Sequence, residues 1–434
     1  MLTIVLISLI LSAFILMTKR ILRQEVAMPL LALSAILLSG NVQGMNALNN
    51  GFFEFSRIAL LFTAVAVPAH ILQRSKLLDL VGVWIGELIG KLYIKTNMNI
   101  CFLVSSFSLF MVYIMAALFH NTTSILVSSV IICVICKSYK LKALPVLCGA
   151  LVASNLGGFS TRWGDTPNII EAAYWGLMHK DFLVEIMPIN IGALLILIAA
   201  ISLWLSKITS KNYFEKKGKF ETTFAMIKFR NANREISLDR RLVFFGLLGL
   251  ALAIIGPIFF VKLELGFSSL AIIISVLGDY SEHRSEGLLA LGIETYAVLV
   301  SIFVLAQVLS KSDIGVGRYI LDFLMKSHMS IWAIALASYF GTLLTEAASW
   351  ASAVAPIIHA QASTHAAAWA LGSGIFAGSS SLVTAASAGI ILTNETKSNP
   401  DESRVVFGSY VFFGLLFSLF ILTYYITVLS LLFK

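Results

Sequence analysis

The sequence predicts an all-α polytopic membrane protein built from two inverted-topology repeats, each with a re-entrant hairpin and a broken helix. Three observations predict it. The first is composition: 58% of the 434 residues are apolar and 12% are charged, against roughly half and a quarter in soluble domains. Only a bilayer accommodates that much apolar surface, in helices of about 20 apolar residues. The second is the placement of charge. The net charge of +8 sits mainly in short segments between apolar runs, which is the distribution of cytoplasmic loops and not of a nucleic-acid surface. The third is that two apolar segments in opposite halves, near 154–168 and 378–389, are interrupted by Gly and hydroxyl residues, the pattern of paired discontinuous helices in carriers.

The elements follow in order. A first helix, roughly 2–17, has no basic residue before it and Lys19, Arg20 and Arg23 after it. That is the reverse of a secretory signal, so it is expected to be retained with its N-terminus outside. A second helix, roughly 27–40, leads to an Asn-rich outer loop at 41–50, and a third, roughly 57–73, returns to Arg74 and Lys76. The stretch 77–93 carries Asp79, Glu87 and Lys91 and suits an interfacial helix. Two apolar arms, roughly 98–119 and 123–136, meet at His120-Asn121-Thr122, with lysines on both outer flanks (Lys91 and Lys95; Lys137, Lys140 and Lys142). Equal charge at both ends predicts a hairpin entering and leaving on the cytoplasmic side. A fifth helix from Ala143 is broken over 154–168, Glu171, Asp181 and Glu185 then mark the outside, and a sixth helix occupies roughly 186–206.

The stretch 207–241 holds ten basic residues, including Lys211, Lys216, Lys217 and Arg241, and reads as a cytoplasmic linker. Beyond it come spans near 242–261, 266–278 and 288–309, an interfacial stretch at 311–326, and two arms near 329–345 and 351–358. A break at Gly378-Ser379-Ser380-Ser381 and a last span from Val405 complete the order. The expected organisation is therefore N-terminal helices at 1–56, a first inverted repeat at 57–206, the linker at 207–241 and a second inverted repeat at 242–434.

Irregular backbone survives at membrane depth only inside protein or around a wet cavity. That makes 154–168, with Ser154, Asn155, Gly157, Gly158, Thr161, Arg162, Gly164, Asp165, Thr166, Pro167 and Asn168, the most informative stretch. Glycines permit close backbone approach, half-helix ends supply partial charges of both signs, and Asn and Thr oxygens suit a hard cation. The competing interpretation is a kinked helix packing small residues against a neighbour. Four cysteines, Cys101, Cys133, Cys136 and Cys148, lie in or beside apolar runs without the companions of a zinc site, so neither a metal centre nor a redox pair is expected.

The tip Asn121-Thr122 and the run Gly157, Gly158, Thr161, Gly164, Pro167, Asn168 resemble the ion transporter superfamily: divalent-anion/sodium symporters, citrate-type carriers, arsenite permeases and one class of sodium/proton antiporters. In that family a Ser-Asn-Thr tip faces a Gly-Gly-x-x-Thr-x-x-Gly-x-x-Pro-Asn break. The resemblance implies inverted repeats, a homodimer held by a scaffold, and a mobile domain carrying hairpins and broken helices. The chain departs from the pattern in four places. His120 replaces the first Ser, the second tip reads Ser349-Trp350-Ala351 after Thr345-Glu346, Gly389 stands where many relatives carry Asn, and Arg162 lies among residues that are usually uncharged. Two equivalent cation sites are therefore not expected.

Asn121, Thr122, Asn155, Gly157, Thr161 and Asn168 are the candidate cation-binding residues, with a bound sodium ion as the one non-protein component and no organic cofactor. Arg162, Asp165, Ser379, Ser380, Ser381 and Thr384 are candidates for substrate binding. Arg162 costs about 2.5–3.5 kcal/mol at the centre of a bare helix, so it must face water or a partner. It binds an anion, pairs with Asp165 or Glu346, or acts as a tethered cation. His120, Asp165 and Glu346 are the proton-coupling candidates. The leading expectation is a secondary carrier for a small anion, coupled to sodium or protons, in a bacterial inner membrane. The alternative is a sodium/proton antiporter. Remoter alternatives are a non-transporting scaffold and an intramembrane enzyme; the sequence has neither His-Glu-x-x-His nor Gly-x-Ser-x-Gly.

Overall fold

The computed structural model describes residues 2–18, 21–22, 24–119, 121–162, 164–209, 222–227, 229–231, 236–259, 263–279, 293–311, 317–344, 347–397 and 403–433. The described residues form helices and turns, with no strand among them. Helices α1 (Leu2–Thr18), α2 (Gln24–Ser39) and α3 (Asn41–Arg74) open the chain. They are followed by α4 (Leu77–Thr96), α5 (Ile100–Phe119), α6 (Asn121–Ser138), α7 (Ala143–Phe159) and α8 (Thr166–Trp175). A π-helical segment, Phe182–Ile186, leads into α9 (Met187–Ile208).

The second half holds α10 (Arg240–Phe259), α11 (Glu264–Gly278), α12 (Ile293–Lys311) and α13 (Gly317–Lys326). These lead to α14 (Ile331–Leu344), α15 (Ala347–Gln361), α16 (His365–Ser379), α17 (Ser387–Glu395) and α18 (Phe407–Leu432). The stretches Ile100–Leu118, Phe182–Ile208 and Phe407–Leu432 are each long and apolar enough to cross a bilayer, and shorter apolar helices accompany them. Leu37 and Phe412 stand 81% and 77% exposed, a surface suited to acyl chains rather than water.

Two readings of the sequence are corrected here. The Asn-rich stretch 41–50 is not a loop; it is the first third of α3, which runs unbroken for 34 residues and so spans about 51 Å at 1.5 Å per residue. The expected boundary at residue 57 falls inside that helix. The interruption at 154–168 is also narrower than expected. Ser154 to Gly158 belong to the last turns of α7, and the chain leaves helix only between α7 and α8.

Helices α2, α3, α10, α11 and α12 pack on one another, while α5, α6, α7 and α9 form a second group and α14, α16 and α18 a third. Arg74 at the end of α3 pairs with Asp279 just past α11. Within the basic stretch, Phe229 and Met226 lie against Gly86 and Gly90 of α4. The two halves interlock through short helices: α8 packs on α15 and α16, and α17 packs on α6 and α7.

Glycine makes the α5–α7 contact possible. A Cβ on Gly157 would strike the Tyr113 carbonyl oxygen and lie 2.9 Å from the Ala116 Cβ. Backbone cannot swing aside, so Gly157→Ala is expected to cost about 1–3 kcal/mol through overpacking. Gly82→Ala, whose nearest neighbours would lie at 3.6–3.9 Å, is expected to hold parental stability or gain slightly from helix propensity. Thermal unfolding of the two detergent-solubilised variants checks the contrast.

Candidate functional site

The site begins at the N-terminus of α8. Asp165 is extended, and its Oδ1 accepts from the Thr166 amide at 2.8 Å. That satisfies one of the donors a helix start leaves free, with Pro167 lacking one of its own. The other carboxylate oxygen, Oδ2, accepts from Asn121 Nδ2 at 3.0 Å, so the first residue of α6 is fastened to the break. The Asn121 amide also donates to the Gly164 carbonyl at 3.0 Å. Its side chain reaches Asn155 Oδ1 at 3.4 Å, while Thr122 donates to Asn121 Oδ1 at 2.9 Å.

Inside the break, Asn168 Nδ2 donates to the carbonyls of Gly158 at 2.8 Å and Thr161 at 2.7 Å. The Thr161 hydroxyl donates to the Ala117 carbonyl at 2.8 Å. Asn121, Thr122, Asn155, Thr161 and Asn168 are thus brought into one buried cluster. Gly157 is not part of it, being used in packing against Tyr113. The Asn168 amide takes one acceptor position on each of the Gly158 and Thr161 carbonyls, and each oxygen has a second lone pair.

The second break is joined to the first by a hydrogen bond in which Asn155 Nδ2 donates to Ser380 Oγ at 3.1 Å. The Ser380 carbonyl accepts from the Tyr410 hydroxyl at 2.6 Å. Ser379 donates back to the Phe376 carbonyl, and Ser381 bonds the Ala377 carbonyl and Ser418. Thr384 is buried in the turn before α17. Of the four predicted hydroxyls, Ser380 is the one hydrogen-bonded to the first break among the described residues. Helix α17 starts at Ser387, and Ala386 before it provides no side-chain cap.

Arg162 lies half-buried in the turn between α7 and α8. Among the described residues it makes no ion pair, so the expected alternative of a structural Arg162 to Asp165 pair is not formed. His120 and Glu346 lie outside the described residues, as does Thr345.

Two features were not found from sequence. Asn190 of α9 donates to Ser160 Oγ at 2.8 Å and the Leu156 carbonyl at 3.2 Å, and accepts from Tyr425. Together with the Tyr113 to Ser160 bond at 2.8 Å, this ties the end of α7 to α9 and α18. An Asn inside an apolar helix was the available signal. The other is Glu171, read as a marker of the outside and found to have no accessible surface.

An all-α bundle with several long apolar helices, in which two helix breaks meet through buried polar side chains, is a polytopic membrane protein. Comparison with known proteins gives the same class. Residues 1–374 match the profile of the family described as "Citrate transporter". The chain is 25% identical over 366 residues to the magnetosome protein MamN of Paramagnetospirillum magneticum, covering 81% of this chain and 78% of that protein. It is 37% identical over 94 residues to a 46 kDa membrane protein of Mycobacterium leprae. It is also 32% identical over 96 residues to an uncharacterized transporter of Mycobacterium tuberculosis. These mycobacterial matches span 21% and 22% of this chain and 22% of the length of each relative. The chain belongs to the citrate transporter family, within the ion transporter superfamily that its motifs resemble, and it is a transporter rather than an enzyme.

Proposed function

We propose that the protein is a secondary active carrier of a small carboxylate anion, driven by a proton or sodium gradient across a bacterial inner membrane. The observation that carries this is Arg162, a guanidinium set in a helix break with no acid partner among the described residues. A planar guanidinium matches a carboxylate through two parallel hydrogen bonds, and the family description names citrate. Ser380 and the uncapped start of α17 add hydroxyl and amide donors. The cation site of the same proposal is the Asn121, Thr122, Asn155, Thr161 and Asn168 cluster. A homodimer and two inverted repeats belong to the same reading. Its test is a thermal-shift titration with citrate, at two pH values and with or without sodium, since a ligand that binds the folded state raises apparent stability. Stabilisation by citrate supports the reading, and none under any condition contradicts it.

A second reading, sodium/proton antiport, is favoured by one observation: Asp165 is bound to Asn121 and not neutralised by Arg162. Sodium-driven proton flux in liposomes without any anion would select it.

A further inference from the structure

We propose that Glu171 is the proton-binding site of this carrier, loaded in the closed arrangement and emptied when the seam between α8 and α16 opens. The inference rests on the carrier reading above but assigns a residue outside its anion and cation sites. Glu171 is 0% exposed, and neither carboxyl oxygen has a hydrogen-bond partner. Buried polar groups are nearly always paired, so an exception with both oxygens unpaired calls for a function. An ionised carboxylate without donor or counter-ion is too costly to hold out of water; the neutral acid is the form such a pocket accepts.

The pocket is built for that side chain. A Cβ on Gly372 of α16 would lie 2.7 Å from Glu171 Oε2 and 2.9 Å from the Phe159 Cζ. The absence of a side chain at that position leaves the carboxyl its space. Phe159 stacks on Phe376, centroids 6.0 Å apart, and both rings touch Tyr425, so the wall contributed by α7, α16 and α18 is aromatic.

The other charged and titratable groups on α8 and on the elements packed near it are engaged with other partners. Asp165 is the extended residue that caps the start of the same helix, six residues before Glu171 in sequence, and is held by Asn121 and the Thr166 amide. Tyr174, also on α8, lies against His359 of α15, as does Trp175. From α16, His365 faces Glu185 at 3.3 Å, and Trp369 donates to the same carboxylate. The Tyr425 hydroxyl of α18 is given to Asn190. Glu171 therefore sits on a helix of the first half, sealed by a helix of the second, between the break and the exposed end of α8 at Tyr174 and Gly176. A relative movement of the two halves changes its access to water, which is what a coupled proton site requires.

The experiment uses the purified, reconstituted full chain. Infrared difference spectra between acid and alkaline buffer are recorded for the parent, Glu171→Gln and Glu171→Asp. The expected result is a protonated-carboxyl band in the parent and in Glu171→Asp that is lost in Glu171→Gln. In parallel, with citrate as probe, Glu171→Gln is expected to lose accumulation driven by a pH gradient while retaining citrate exchange. A band that persists in Glu171→Gln, or is absent from the parent, overturns the proposal, as does undiminished pH-driven accumulation in that variant. Glu171→Asp guards against misfolding, since it keeps the carboxyl. Absence of citrate flux in the parent overturns the carboxylate-carrier reading instead, and the infrared arm then decides Glu171 by itself.

Discussion

Arg162→Gln is expected to weaken citrate binding by about ten- to a hundred-fold, because a hydrogen bond to a charged group contributes ~1.5–3 kcal/mol. Arg162→Lys keeps the charge without the fork, and its loss should be smaller but clear. Folding should survive both changes, since Arg162 is half-buried and makes no ion pair among the described residues. Isothermal titration with citrate, beside thermal unfolding of each variant, separates the two effects. A loss of stability without a loss of affinity would make Arg162 a structural residue. The absence of an Arg162 to Asp165 pair adds a condition: adding Asp165→Asn to Arg162→Gln should not restore binding, as it would if the two charges neutralised each other.

Asn121→Ala is the other change with a large expected effect. It strips the donor from the half-buried Asp165 Oδ2 and from Asn155 Oδ1 at once, and a stranded acceptor as buried as Asn155 Oδ1 costs about 1–3 kcal/mol. The consequence reaches beyond stability. Asn121 joins the start of α6 to the break, and Ala keeps the backbone bond to Gly164 but loses the side-chain bonds to Asp165 and Asn155. Transport should fall more than in Ser349→Ala, whose segment lacks the Asn and Thr of the first tip. Uptake rates for the two variants, normalised to folded protein, give the comparison; equal losses would argue for two equivalent cation sites.

The fold class was readable because hydropathy and loop charge act over tens of residues and tolerate local exceptions. Local chemistry was harder to read. Residues 41–50 look like a loop by composition, with Asn41, Asn46, Asn49 and Asn50, yet they are helical in α3. Tertiary packing against α2 and α12 overrides weak propensities of this kind. Gly157-Gly158 suggested a broken backbone, but Gly157 serves helix packing: the residue is small because Tyr113 lies against it.

Within the site, Asn121, Asn155, Thr161 and Asn168, singled out as candidate cation ligands, lie close together in the structure. Motif reading gave no hydrogen-bond directions, so it did not show that Asn168 bonds the Gly158 and Thr161 carbonyls. In the sequence Glu171 looks like a mark of solvent, because it is an acid at the end of an apolar run. Its spacing of three from Asn168 puts it on the same helical face as the site, and that periodicity was the clue. Burial itself depends on Gly372, two hundred residues away in sequence, and no local pattern announces it.

The measurement that tests the account most directly is citrate accumulation in proteoliposomes holding the parent chain or Arg162→Gln, under an imposed pH or sodium gradient. The account predicts gradient-driven accumulation by the parent and its loss in the folded variant. Sodium-driven proton flux by the parent without any anion, together with no citrate accumulation under either gradient, would contradict it.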